Sequence, residues 1–171
     1  MKGHSVALGV AFFLILAYVA FIGGCKKSTP RYTEITEHDV LAIMNDVERA
    51  TLAKDLDGVI KHLAPFVVIN VTMTPPDLPF MPQRAQMSRD QYAEELKKVF
   101  AKLTLHEYKR ENDKITINND RRSALTETDV LELIVMDGKE IRTTTHETSV
   151  LEIIDGNILV TSIDAVIMKR E

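Results

Sequence analysis

The sequence of 171 residues predicts an α+β domain in which helices come first and an antiparallel sheet follows. Three observations support this order. Apolar residues repeat at helical spacing in two capped stretches before residue 104. Beyond that point the apolar residues alternate with polar ones, which indicates strands. Asp-Gly pairs separate the last three strand-like runs, and this pair is typical of two-residue β-hairpin turns.

The early elements can be assigned from their caps and composition. A Thr-Glu-His-Asp sequence begins the first predicted helix, which covers about residues 36–54. Asp57-Gly58 begins a short helix over residues 59–63. The run 66–71 is apolar and rich in β-branched residues, so it predicts a buried strand.

The segment after this strand predicts a loop and then a helix. Residues 72–87 hold four of the six prolines, so we predict a loop there. Its apolar residues, Phe80 among them, have three interpretations: a satellite core beneath the loop, which is favoured, a lid over a cavity, or a docking patch. A serine–glutamine capping box then begins a helix over residues 89–103, with Tyr92 in its apolar stripe.

Four strand-like runs complete the predicted domain. They cover roughly residues 104–118, 122–136, 140–154 and 158–169. A two-residue turn fixes which residues face each other across a hairpin, so the register of the last three strands can be counted from Asp137-Gly138 and Asp155-Gly156.

This count places polar side chains in two neighbouring rows on one face of the sheet. The rows are Thr128, Glu147 and Asp164, and Thr126, Ser149 and Ser162. If this face lines a cavity, one of the two facing carboxyl groups should hold a proton, because burial and a like charge both raise a carboxyl pKa. Glu147 and Asp164 are therefore the predicted acid–base pair. A β-bulge would shift the register by one residue and separate them, and this alternative is favoured because such sheets often carry bulges.

The opposite face of the predicted sheet offers a histidine–carboxylate pair. The same count sets Asp129 against His146, which could orient an imidazole as a general base. The favoured interpretation is a surface ion pair, since the count places no serine or cysteine nucleophile beside it. His106 is not assigned a partner.

Composition excludes several functional classes. The formal net charge is −4, so there is no basic surface of the kind that binds nucleic acid. A single cysteine excludes a disulfide framework, and no Cys/His set has the spacing of metal ligands. We therefore expect neither a metal nor another cofactor.

The amino terminus has the pattern of a secretory signal. Lys2 precedes an apolar run over residues 5–22, and two glycines follow before the only cysteine. The stretch Ile22-Gly23-Gly24-Cys25 resembles the bacterial lipobox, which implies cleavage before Cys25 and lipid, such as palmitate, on that residue. The alternative is an uncleaved membrane anchor.

The lipobox resemblance divides the chain into three parts. Residues 1–24 are the expected signal peptide, 25–34 a polar tether and 35–171 the folded domain. Both the lipoprotein and the anchor place the domain in the cell envelope, outside the cytoplasm. Lys26 after the lipidated cysteine implies, at the level of the lipoprotein class, the outer membrane facing the periplasm if the host has two membranes.

Two stretches of the domain resemble nuclear transport factor 2-like proteins, which include ketosteroid-isomerase-like and polyketide-cyclase-like proteins. Residues 54–68 (KDLDGVIKHLAPFVV) look like the family's first-helix exit, short second helix and strand, and residues 155–164 (DGNILVTSID) look like its last hairpin. The resemblance covers about residues 35–170. It implies a cone with an open, mostly apolar pocket, formed by N-terminal helices packed in a curved antiparallel β-meander. Members of the family are enzymes, ligand binders or docking surfaces, so the fold does not select a function.

Three functions remain open. The favoured one is a lipid-anchored envelope protein, attached to the membrane through Cys25, whose cone binds a small apolar ligand or an envelope protein. The residues expected to bind are Thr126, Thr128, Ser149, Ser162, Tyr92 and Phe80. The first alternative is a cofactor-free acid–base enzyme of the dehydratase or isomerase type that uses Glu147 and Asp164. The second is a structural lipoprotein that forms a homodimer through its sheet.

Overall fold

The computed structural model describes residues 31–73, 83–136 and 138–170. The elements in chain order are α1 (Glu37–Leu52), α2 (Leu56–Ile60), β1 (Leu63–Met73), β2 (Gln83–Met87), α3 (Arg89–Lys102), β3 (Leu103–Ile117), β4 (Ser123–Met136), β5 (Lys139–Ile154) and β6 (Asn157–Arg170). The α+β order is as predicted. The predicted loop 72–87 is wrong at its end, because β2 occupies residues 83–87.

Each helix begins at a side chain that caps its first turn. Thr36 and Asp39 form a reciprocal box at α1, and Ser88 begins the same motif at α3. Asp55 caps α2 and accepts a hydrogen bond of 3.0 Å from the N–H of Gly58. A Cβ at Gly58 would lie 2.4 Å from Asp55 Oδ2, so this turn requires glycine. Among the helices in the described ranges, none is both long and apolar enough to cross a bilayer.

The strands form one curved sheet in the order β2-β1-β6-β5-β4-β3. Strands β3 to β6 make the predicted antiparallel meander. Strand β1 runs parallel to β6 on one side and antiparallel to β2 on the other. The sheet is therefore mixed, which corrects the prediction of a purely antiparallel meander: the strand predicted at 66–71 closes the sheet beside the last strand of the chain.

The register between β4 and β5 agrees with the count from the sequence. Thr128 faces Glu147, and Thr126 faces Ser149. The β5–β6 turn also forms as predicted: Asp155 and Gly156 have φ angles of 52° and 79°, which are the positive values that a type I′ turn requires.

A bulge at Thr161 of β6 overturns the predicted pairing of Glu147 with Asp164. Thr161 has no partner on β5, so Glu147 faces Ala165 instead. Because side chains alternate between faces, one extra residue moves every later side chain of β6 to the other face. Asp164 therefore lies on the outer face, and Ser162 leaves the predicted hydroxyl row for the same reason.

The core lies between the inner face of the sheet and the helices. Its most deeply buried large side chains include Ile35, Val40, Ile69 and Leu151. The chain is fixed to the sheet before α1 begins, because the N–H of Tyr32 donates a hydrogen bond of 2.8 Å to the Gly156 carbonyl.

Candidate binding cavity

A cavity of about 400 Å³ lies between the inner face of the sheet and helices α1 and α3. Most of its lining is apolar, and representative residues are Met44, Leu96, Phe100, Val130, Ile163 and Ile167. A depression of about 560 Å³ beside Arg142 and Thr144 is larger but more open. The inner cavity has the size and character of pockets that hold small organic molecules.

Glu147 of β5 supplies a carboxyl group to the cavity wall. Its Oε1 accepts a hydrogen bond of 3.1 Å from Ser149 Oγ. Burial is the main cause that raises the pKa of Glu147; the charge of Glu132 adds to the rise, while the Ser149 hydrogen bond and Arg110 oppose it. Glu147 therefore keeps its proton to a higher pH than a solvated glutamate does.

Three buried hydroxyl groups surround this carboxyl group. Thr126, Thr128 and Ser149 are 3%, 4% and 5% exposed. The Thr128 hydroxyl donates to the carboxylate of Asp113, and the Thr126 hydroxyl lies 3.5 Å from the Ser149 carbonyl. Since the Ser149 hydroxyl donates to Glu147, all three protons are engaged within the protein.

A histidine–carboxylate pair also lies on the cavity wall. His106 Nε2 of β3 lies 3.1 Å from Glu132 Oε1 of β4, and the imidazole packs edge-on against Tyr108 with centroids 6.2 Å apart. The His106 side chain is 6% exposed, and its Nδ1 is buried with no hydrogen-bond partner among the described residues. Both ring nitrogens are thus shielded, one by Glu132 and one by burial.

Arg110 joins the cavity wall to helix α1. Its Nε donates a hydrogen bond of 2.8 Å to Glu48 Oε2, and its Nη1 lies 3.3 Å from Asp113 Oδ2. A bulge in β3, where Asn112 has a φ of 57°, brings Asp113 to this side of the strand. The guanidinium charge is therefore balanced by two carboxylates before any ligand arrives.

Two tyrosines complete the polar part of the wall. Burial first, and then the charges of Glu147 and Glu132, raise the pKa of Tyr92 and of Tyr108 above the usual range. Both phenols stay protonated at physiological pH. The influence of both carboxylates on both rings shows that these four side chains share one region of the cavity.

The structure brings together most of the residues predicted to form the site. The predicted residues that line the cavity are Glu147, Tyr92, Thr126, Thr128 and Ser149. Asp164 is exposed on the outer face, where its Oδ1 accepts a hydrogen bond of 2.8 Å from Asn70 Nδ2. Ser162 also turns away from the cavity. Phe80 and Cys25 lie outside the described residues.

Four polar residues of the wall were not predicted as site residues. They are His106, Tyr108, Arg110 and Glu132. A signal existed in β3, since histidine, tyrosine and arginine at alternate positions must share one face of a strand. In the part of the chain that the structure describes, no group of three His, Cys, Asp or Glu side chains is arranged to bind a metal ion.

Comparison with solved structures shows that the fold is that of nuclear transport factor 2-like proteins. A protein of this class from Cytophaga hutchinsonii aligns with a TM-score of 0.61 and 12% identity over 78% of this chain and 100% of that one. Hexachlorocyclohexane dehydrochlorinase LinA-type3 from Novosphingobium barchaimii aligns with a TM-score of 0.61 and 10% identity, over 77% and 86% of the two chains.

A third neighbour, provisionally described as a scytalone dehydratase, comes from Novosphingobium aromaticivorans. It aligns with a TM-score of 0.63 and 10% identity over 77% of this chain and 83% of that one. At such identities the similarity shows the fold and not the activity. No protein-family model and no curated protein matches the chain.

Proposed function

We propose that this protein binds a small, mainly apolar molecule inside the cone. The observation that carries the proposal is the cavity of about 400 Å³, whose lining is mostly aliphatic and aromatic with polar groups gathered around Glu147. A few polar groups in an apolar pocket orient a ligand, while burial of its apolar surface supplies most of the affinity.

Native mass spectrometry of the full-length protein, purified gently from its own host in detergent, tests this proposal. We expect a co-purifying small molecule. Ala165→Trp places an indole on the inner wall opposite Glu147 and should abolish the bound mass. The adjacent Val166→Trp is the matched control, because Val166 is exposed on the outer face and a larger side chain there leaves the cavity open. A ligand retained by the Ala165→Trp variant would contradict binding in this cavity.

A second candidate, a cofactor-free acid–base enzyme, has support from the titratable groups of the wall. Glu147 can hold a proton that it then donates, and Glu132 lies in the same region of the cavity in place of Asp164. Two structural neighbours bear the names of a dehydratase and a dehydrochlorinase. The shielded nitrogens of His106 favour binding over catalysis, since neither is free to take a proton from a ligand.

Deuterium incorporation separates these two functions. The co-purified molecule is incubated with the protein in D₂O and its mass is followed over time. Exchange or conversion that is present in the wild type and absent in Glu147→Gln would support catalysis. A molecule that stays unchanged with both proteins would support binding alone.

We further propose that a lipid on Cys25 holds the cone at the membrane surface of the cell envelope, in the outer membrane facing the periplasm if the host has two membranes. The lipobox-like stretch 22–25 and the division into residues 1–24, 25–34 and 35–171 support this arrangement. Tyr32, fixed to the sheet, lies seven residues after Cys25, so the tether spans about 24 Å at most. Labelling with a palmitate analogue should mark the wild type and leave Cys25→Ala unlabelled. Equal labelling of both would exclude this anchor.

The outer face of the sheet supports a homodimer as a further proposal about assembly. Its exposed large apolar side chains include Phe66, Val68, Val166 and Met168. A self-complementary apolar face of this kind can pair with a second copy. The same native mass spectra report it directly, as a species of twice the monomer mass.

A further inference from the structure

The polar end of the cavity holds more carboxylates than cations. Four carboxylates meet there: Glu48, Asp113, Glu132 and Glu147. Only two potentially cationic side chains of the described wall oppose them. Arg110 is already in contact with Glu48 and Asp113, and His106 is in contact with Glu132. With all four carboxylates ionised, the region is negative in either protonation state of His106.

The hydrogen-bonding capacity of the wall is one-sided as well. The hydroxyl protons of Thr126, Thr128 and Ser149 are engaged by oxygen atoms of the protein. A hydroxyl whose proton is engaged can still accept a hydrogen bond but cannot donate one. Together with the carboxylates, these groups present acceptors to whatever enters the cavity.

Aromatic rings line the same region. Tyr92, Phe100 and Tyr108 belong to the cavity wall, and both tyrosines feel the charges of Glu132 and Glu147. Aromatic faces beside carboxylates are the surroundings in which proteins bind substituted ammonium groups, because the ring quadrupole attracts a cation that has lost part of its water.

On the basis of the proposed binding function, we propose that the ligand is an amphipathic amine, with an apolar body in the aliphatic part of the cavity and one ammonium group between Glu132 and Glu147. An ammonium group brings the missing positive charge and only hydrogen-bond donors, which matches the acceptors of the wall. A carboxylate or phosphate group would add a further negative charge there, so the cavity selects against anionic amphiphiles.

Three probes with one naphthyl scaffold test this inference: 2-(1-naphthyl)ethylamine, 2-(1-naphthyl)ethanol and 1-naphthylacetate. Each is titrated calorimetrically near neutral pH into the full-length protein in a non-ionic detergent, with a titration into empty micelles subtracted. We expect the amine to bind at least about tenfold more tightly than the alcohol, and the acetate to bind more weakly than both.

Variants locate the source of this preference. The double variant Glu132→Gln/Glu147→Gln should bind the amine about tenfold more weakly and keep the affinity for the alcohol, because both glutamines preserve the shape of the wall. Glu127→Gln removes a carboxylate from the outer face of β4 and should change neither affinity. Retained alcohol binding shows that the double variant is folded.

The possible outcomes distinguish the two proposals. If the alcohol binds as tightly as the amine, or the acetate binds most tightly, the inference about the amine is wrong while ligand binding stands. If none of the three probes binds to the wild type, both proposals fall. An amine preference that survives in the double variant would also overturn the assignment to Glu132 and Glu147.

Discussion

Two histidine–carboxylate pairs occupy opposite faces of the same sheet. His106 and Glu132 face the cavity with 3.1 Å between Nε2 and Oε1, and His146 and Asp129 face outward with 2.8 Å between Nδ1 and Oδ1. The contacts are similar, but the His106 side chain is 6% exposed and the His146 side chain is 44% exposed. Water screens the outer pair and is largely excluded from the inner one.

The carboxyl groups of the two faces titrate in opposite directions. Inside, burial raises the pKa of Glu147. Outside, the hydrogen bond from Asn112, followed by that from His146, lowers the pKa of Asp129. The same chemical group is therefore biased toward its protonated form on one face and toward its ionised form on the other. Placement on the sheet, more than residue type, distinguishes the candidate site from the solvated surface.

Introducing a carboxylate on each face should break this comparison with the largest effect. Ile69 is 2% exposed on the inner face of β1, while its neighbour Val68 is 40% exposed on the outer face. Ile69→Asp buries a carboxyl group without a partner and should lower the free energy of unfolding by about 3 kcal/mol or more. Val68→Asp should cost about 1 kcal/mol or less. Urea unfolding of both variants measures the difference, and equal losses would show that the two faces are equally wet.

Removing one carboxylate from each face sharpens the comparison through pH. The raised folded-state pKa of Glu147 means that the native protein retains a proton that the unfolded chain loses as pH rises through 4.5. This contribution to stability is complete below that pH and is lost as pH rises toward the folded-state pKa, with a slope of at most about 1.4 kcal/mol per pH unit. Glu147→Gln should therefore gain stability relative to the wild type as pH increases across this window.

Glu127→Gln on the outer face should show the opposite dependence. The hydrogen bond from Lys114, the largest cause, lowers the pKa of Glu127, so its stabilising contribution is present above 4.5 and is lost as pH falls toward the folded-state pKa. Urea midpoints measured over a pH series test both signs. Parallel curves for the two variants would contradict the assignment of the faces.

Double-mutant cycles on the two histidine pairs should give the smallest effects. Alanine substitutions at His106 and Glu132 should reveal a coupling free energy of about 1 kcal/mol, because the inner pair is little screened. The same cycle at His146 and Asp129 should give about 0.5 kcal/mol or less. An outer coupling as large as the inner one would show that burial does not strengthen the cavity pair.

The two countable hairpins show how far sequence can predict a sheet. Asp155-Gly156 correctly set Ile154 opposite Asn157, and the β4–β5 register is correct along its length. Around Thr161, however, the run Val-Thr-Ser alternates as well with a bulge as without one. A turn motif fixes the start of a register locally, whereas a bulge depends on how both neighbouring strands pair, including β1 on the far side of β6.

The site was predictable where periodicity could be combined with a turn. That combination placed Glu147 beside Thr128 and Ser149, but it could not connect His106 to Glu132. The β3–β4 connection is longer than two residues, so no register could be counted there. Strand β2 was missed for another reason. It lies at the sheet edge, its burial pattern is almost uniformly exposed, and no alternation of apolar residues marks it.

The unpaired Thr161 makes the inner wall sensitive to chain length as well as to composition. Loss of one residue at this point would rotate Ser162 and Asp164 inward and carry Ile163 and Ala165 to the solvent side. An aliphatic panel would become a polar one with no amino acid exchanged. A single-codon deletion is therefore a more economical route to a new ligand preference in this scaffold than a series of point substitutions.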